Sequence, residues 1–209
     1  MKNLLLVMAF SFSFFSCVKT LQTQSEIDED ALIAVMSFND VSQMKNAYEL
    51  LKPIEKLELW SRHIRFFIQS RDLTEEQKVF VLKFKEDWLK KELFENNSPS
   101  LNNFNSALPK IKQNAQAILG VPDAYALLID LQADSHFYRK NIISENFTSN
   151  FPVNSLKVKD NADQGSSCSC STEDSYCNAG TCRNRGCASS KRGCGTLFLY
   201  PCDGICYLL

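Results

Sequence analysis

The sequence predicts an α-helical, bundle-like domain of five or six helices joined to a small disulfide-rich C-terminal module. Two observations predict the first part: glycine is absent from Ser25 to Asn141 except for Gly120, and apolar residues recur there at helical spacing. A third predicts the second part, since eight of the nine cysteines fall in the last 42 residues. They are Cys168, Cys170, Cys177, Cys182, Cys187, Cys194, Cys202 and Cys206, an even set in a segment too short to support itself by apolar burial alone. A chain of 209 residues accommodates one ordinary domain and one such stapled unit.

The chain opens with Met1-Lys2-Asn3, an apolar run from Leu4 to Phe15, then Ser16-Cys17. One positive residue, an apolar stretch too short to span a bilayer and a small residue before the cut describe a signal peptide over 1–17. Phe14-Phe15-Ser16-Cys17 also resembles a bacterial lipobox, in which the cysteine is acylated after cleavage. Acylation of Cys17 would leave an even number of thiols for an oxidising space. The expectation is an extracytoplasmic lipoprotein, periplasmic or at the cell surface, held to its own membrane by the anchor.

The all-α domain is expected over 25–143. Asp30 to Phe38 and Val41 to Leu51 read as two short helices separated by Asn39-Asp40. Pro53 suits a first helical turn, and the segment after it places Leu57, Trp60, Ile64, Phe67 and Ile68 along one face. Thr74 and Gln77 have capping-box spacing and predict a helix that turns Val81, Phe84 and Trp88 inward, with Leu82, Leu89 and Leu93 on an adjoining strip. Glu86 with Lys90 and Asp87 with Lys91 would pair on its outside, and Asn96 to Pro99 would end it. Ser106 is read as the cap of a further helix to Leu119, stopped by Gly120, and Pro122 as the opening of another through Leu131.

No catalytic centre is predicted. His63, between Arg62 and Ile64, reads as a partly exposed boundary residue, and Asp134-Ser135-His136 are too close in sequence to converge as nucleophile, base and orienter. Glu75-Glu76 and Asp28-Glu29-Asp30 lie at helix starts, where they complement the dipole. Trp60 and Trp88 read as core residues. No phosphate-cradling glycine loop or paired-histidine helix occurs, so no cofactor is expected. A formal net charge of −1 gives no overall field for nucleic acid.

From Asn146 to Ser167 the pattern dissolves into polar residues, giving a linker over 144–167 that offers a place for proteolysis. The stapled module follows over 168–209. The spacing does not define the pairing, although Cys168 and Cys170 are too close to bond each other comfortably. C-x-C and C-x4-C spacings can also present thiolates to a metal, but the module lacks the C-x2-C knuckles of zinc ribbons and export favours disulfides, so no metal is expected. Its charges are segregated. Arg183, Arg185, Lys191 and Arg192 occur without an intervening acid, and Leu197, Phe198, Leu199, Tyr200 and Tyr207 follow. The apolar members either form an exposed binding patch beside the basic one or fill the module's own small core.

Cys168-Ser169-Cys170, Tyr176-Cys177, Gly193-Cys194-Gly195 and Cys202-Asp203-Gly204-Ile205-Cys206 resemble the C-terminal region of the fulvocin C-related bacteriocins, and Leu57 to Trp60 with Leu73-Thr74-Glu75-Glu76-Gln77 resembles their helical part. The resemblance implies an exported helical region preceding a toxin-like cysteine scaffold. Two functions are therefore expected. One is an antimicrobial, non-enzymatic action of the stapled module on a lipid head group or receptor in competitor envelopes. The alternative is a non-toxic surface protein whose stapled module recognises a protein or glycan. A thiol-rich metal binder is a third, weaker reading.

Overall fold

The computed structural model describes residues 27–38, 40–131, 168–177 and 180–207, without the side chains of Ser42 and Arg192. The signal peptide with Cys17, His136 and the expected linker lie outside the described residues.

Among the described residues six α-helices form the first part, and polar caps set where most of them begin. In α1 (Glu29–Ser37) the Asp28 carboxylate accepts from the amides of Asp30 and Ala31, and in α2 (Val41–Glu49) Asp40 accepts from Gln43. α3 (Pro53–Ser70) starts on Pro53, where Glu55 reaches back to accept from the Lys52 amide at 2.7 Å. The same buried carboxylate accepts from the Asp28 amide at 3.3 Å, so one side chain ties the starts of α1 and α3 together. Thr74 and Gln77 form the expected capping box of α4 (Glu75–Trp88).

Four details differ from the sequence reading. α4 ends at Trp88, because Leu89 leaves helical geometry and a 3-10 turn (Lys91–Phe94) follows. That turn brings Leu93 and Phe94 into the core but places Lys90 and Lys91 beyond the helix, where Lys91 pairs instead with Glu95 at 3.9 Å. Leu82, rotated ~100° from Val81 around the helix, is 54% exposed. His63 is only 3% exposed, and its Nε2 lies 2.9 Å from the Ala126 carbonyl, which fixes that nitrogen as the donor and joins α3 to α6.

The fourth difference concerns α5 (Pro99–Leu119), which starts a full two turns before Ser106. Ser98 is the cap, accepting from the Leu101 amide at 3.2 Å, and Pro99 occupies the first turn. Ser106 lies inside the helix and donates to the Asn102 carbonyl at 3.0 Å. Pro109 is also internal, so the helix passes a residue with no amide to donate. Gly120, at φ +82, separates α5 from α6 (Val121–Leu128), which stops short of Leu131.

The stapled region has two small antiparallel sheets. β1 (Thr181–Arg183) pairs with β4 (Ile205–Tyr207), setting Cys182 opposite Cys206, and β2 (Ser190–Cys194) pairs with β3 (Tyr200–Cys202). A 3-10 turn (Thr196–Phe198) links β2 to β3 and carries Leu197 and Phe198 at φ +54 each. Two successive non-glycine residues in the left-handed region cost ~1–2 kcal/mol each.

The turn is held by what it buries. Leu197, Phe198, Leu199 and Tyr200 belong to the same apolar core as Leu32, Tyr48, Trp60, Phe67 and Phe104 of the helices. Phe198 meets Tyr48 edge-on at 5.3 Å and Trp60 at 5.7 Å. Trp60 Nε1 donates to the Tyr48 hydroxyl at 3.0 Å, which donates to the Leu197 carbonyl at 3.3 Å. Leu197, Phe198 and Tyr200 are therefore not an exposed patch, nor do they fill a core private to the stapled module. They complete the helical core.

Truncating Phe198 to alanine should lower the stability of the whole chain by ~3–5 kcal/mol. Denaturant unfolding followed by the helical circular-dichroism signal checks this; an unchanged helical midpoint would mean that the two parts are energetically separate.

Candidate functional site

The stapled region has an interior made of sulfur. The pairing is Cys168–Cys187, Cys170–Cys182, Cys177–Cys206 and Cys194–Cys202. Cys168, Cys194 and Cys202 are buried together with Cys187 against them, so two bridges pack on one another. The sulfurs of Cys170, Cys177 and Cys206 lie within 4.8 Å of one another and draw the other two bridges together. That trio has the proximity of metal ligands, but each sulfur is bonded in a disulfide and offers no thiolate as folded. Each bridge contributes ~2–4 kcal/mol by restricting the unfolded chain.

Polar contacts fix the region on the helices. Asp174 is buried, accepts from the Thr196 amide and forms an ion pair with Lys112 of α5. Its own amide and that of Glu173 donate to the buried Ser171 hydroxyl. Lys112 also lies over the Tyr176 ring, 4.0 Å from its centroid. Tyr200 donates to Asn105 of α5 at 2.8 Å. Burial, then the nearby Asp174 carboxylate, pushes the phenols of Tyr176 and Tyr200 upward, so both remain protonated at ordinary pH. Gly195, at φ +66, lets the chain pass this cluster: a Cβ there would stand 2.7 Å from Tyr200 Cδ2 and 2.8 Å from the Asp174 carboxylate.

The basic members of the predicted patch have a different fate from the apolar ones. Arg183, at the end of β1, and Arg185 and Lys191 are exposed. Arg185 stacks its guanidinium 4.9 Å from the centroid of the half-buried Tyr207 ring, which positions the charge without neutralising it. The Arg192 side chain lies outside the described residues.

A second feature carried no sequence signal. A cavity of about 270 Å³ opens between α2, the end of α6 and the stapled region, with Lys45, Tyr125, Asp130, Tyr176 and Phe198 in its lining. Lys45 Nζ donates to the Ser169 carbonyl at 3.1 Å, touches Cys194 Sγ at 3.2 Å and lies 5.6 Å from the Phe198 ring centroid. Its stem packs on Gly193, whose φ of +113 brings the backbone close. Burial lowers the Lys45 ammonium from its ordinary 10.5 to about 8.

The fold and its staples define a class: a helical domain completed by a disulfide-stapled region suited to an oxidising, extracytoplasmic space. Comparison with protein-family models, curated proteins and solved structures finds no match to the chain. No helix among the described residues is long and apolar enough to cross a membrane.

Two outcomes follow from this geometry. Replacing Gly195 by alanine should destabilise the chain by ~1–3 kcal/mol through the clash alone, with a further cost from the positive φ, read as a lowered thermal midpoint. Because Lys45 binds its proton more weakly in the folded state, its burial opposes folding below about pH 8, and that opposition fades as pH rises toward 10.5. Stability of the oxidised chain should therefore gain a rising component over that window. Lys45→Met should remove it in denaturant titrations at stepped pH.

Proposed function

We propose that this protein is an exported, lipid-anchored envelope protein whose stapled region, fixed on its helical domain, binds a phosphate-bearing component of a bacterial envelope. The observation that carries this reading is the division of labour in the stapled region. Its apolar run Leu197, Phe198, Leu199 and Tyr200 is buried in the helical core, while Arg183, Arg185 and Lys191 are exposed. A rigid, disulfide-held display of arginines suits anionic head groups, because the fork geometry is set before the ligand arrives. The anchor is supported by parity: eight cysteines pair among themselves, leaving Cys17 as the remaining thiol for acylation.

The antimicrobial reading implied by the bacteriocin resemblance takes a specific form on this fold. The active species is the whole chain, since a cut within 144–167 would leave the stapled region held by the buried Leu197–Tyr200 contacts and the Lys112–Asp174 pair. Its targets are then competitor envelopes. The binding reading needs only attachment, to a phosphate-bearing lipid or polymer, without killing.

The mature chain carrying Cys17→Ser, oxidised, is titrated with phosphatidylglycerol vesicles and placed on bacterial lawns. Each of three basic side chains contributes ~1 kcal/mol near an anionic surface, so the triple variant Arg183→Ser, Arg185→Ser, Lys191→Ser should bind roughly 100-fold more weakly. Added salt should weaken the parent chain in the same direction. Equal binding by parent and triple variant would overturn the proposal. Clearing of lawns that vanishes on reduction would assign killing, and vesicle binding without clearing would assign attachment alone.

A further inference from the structure

We infer that Cys170, Cys177, Cys182 and Cys206 form a reduction-gated site for a thiophilic cation of the zinc type, opened when a dithiol cleaves the two bridges that join them. The sulfurs of Cys170, Cys177 and Cys206 lie within 4.8 Å of one another, and Cys182 is bonded to Cys170. Four thiolates each ~2.3 Å from a zinc ion stand ~3.8 Å apart at the corners of a tetrahedron. Sulfur movements of ~1–2 Å, outward within each cleaved bridge and inward between the two, convert the present cluster into that arrangement.

Backbone pairing holds the four positions together independently of the bridges. Cys182 stands opposite Cys206 in the β1–β4 pair, and Cys170 exchanges two backbone hydrogen bonds of 3.1 Å with Gly204. The Ser175 hydroxyl, two residues before Cys177, accepts from the Cys182 amide at 3.3 Å. These bonds remain when the sulfur bonds are cleaved, so the ligands stay convergent. Gly204 makes the room: a Cβ there would stand 2.5 Å from Cys182 Sγ and 3.0 Å from the Arg183 carbonyl oxygen.

Access decides which bridges open. Of the four, Cys177–Cys206 alone has no buried end, so a dithiol reaches it first. That dithiol gives the bridge two electrons and two protons and leaves as a disulfide. The freed thiolate at Cys177 or Cys206 is then within 4.8 Å of Cys170 Sγ, and its attack there expels the Cys182 thiolate. A second dithiol reduces the new bridge in the same way, and zinc displaces the remaining thiol protons to water. Cys194–Cys202, buried at both ends, and Cys168–Cys187, buried at one, keep the region stapled meanwhile. None of the basic residues proposed for envelope binding is a ligand, so this site stands or falls independently of that reading.

The mature chain carrying Cys17→Ser, oxidised, is treated with limiting dithiothreitol, and its free thiols are alkylated and mapped by mass. The four-thiol species, kept under nitrogen, is titrated with zinc against a chromogenic chelator and with cobalt. Thiols should appear at Cys177, Cys206, Cys170 and Cys182 before the other four cysteines. One zinc per chain should then bind and protect those four from alkylation, and cobalt should give the visible bands of a tetrahedral thiolate complex. The double variant Cys177→Ser, Cys206→Ser, first checked for an unaltered helical circular-dichroism spectrum, retains two ligands after reduction and should bind zinc at least roughly 100-fold more weakly. The parent chain suffices to overturn the proposal. It fails if Cys168–Cys187 or Cys194–Cys202 opens first, if the four-thiol species takes up no zinc, or if the fully oxidised chain binds zinc equally well.

Discussion

The structure depends on one inserted side chain. Phe198 lies edge-on to Tyr48 and Trp60, beneath a hydrogen-bond relay from the Trp60 indole through the Tyr48 hydroxyl to the Leu197 carbonyl. Left-handed backbone at Leu197 and Phe198 is tolerated because both side chains are almost wholly buried, each contributing ~1.5–3 kcal/mol. The direction of that insertion has a simple origin. With Cys168, Cys194 and Cys202 packed together and the other two bridges drawn close, sulfur fills the interior of the stapled region. Its apolar run is surplus there and finds the helical core instead.

Buried charges mark the seams between elements. Glu55 links the starts of α1 and α3, and Asp174 links α5 to the turn at Thr196. Such groups contribute little net stability against a well-packed apolar alternative, but they fix register, since any slip would strand a charge away from water. Lys45 breaks this rule. It crosses from α2 to the stapled region and ends on a carbonyl and a sulfur, with no carboxylate in ion-pair range among the described residues. Its place at a cavity rather than in a packed seam is what distinguishes it.

The helical plan was largely legible in the sequence because its signals are local. Pro53, the Thr74–Gln77 box and Gly120 each act within a turn, and each stands where its chemistry requires. Ser98-Pro99 was misread because Asn96-Asn97-Ser98-Pro99 contains residues that both stop a helix and start one; the serine here caps and the proline opens. His63 escaped because its partner, the Ala126 carbonyl, is 63 residues away. Leu197 to Tyr200 posed the same difficulty on a larger scale. Their hydrophobicity showed that they must be covered or used, but no pattern in a short cysteine-rich tail states whose core they enter. The Lys45 cavity had no local trace either, since its lining comes from three separate parts of the chain.

The Tyr48–Leu197 hydrogen bond and the Lys45–Cys194 contact each join residues 149 positions apart. A chain made from its N-terminus presents α2 and α3 long before Phe198 arrives to close them. During that interval Tyr48 and Trp60 have no Phe198 ring between them, and the helical part is a nucleus awaiting its keystone. Loop closure over such a distance is slow, and the surface left open meanwhile invites association with other chains. Completion of the protein is thus timed by its last strands, which makes the C-terminal region the element on which the whole molecule waits before it is finished.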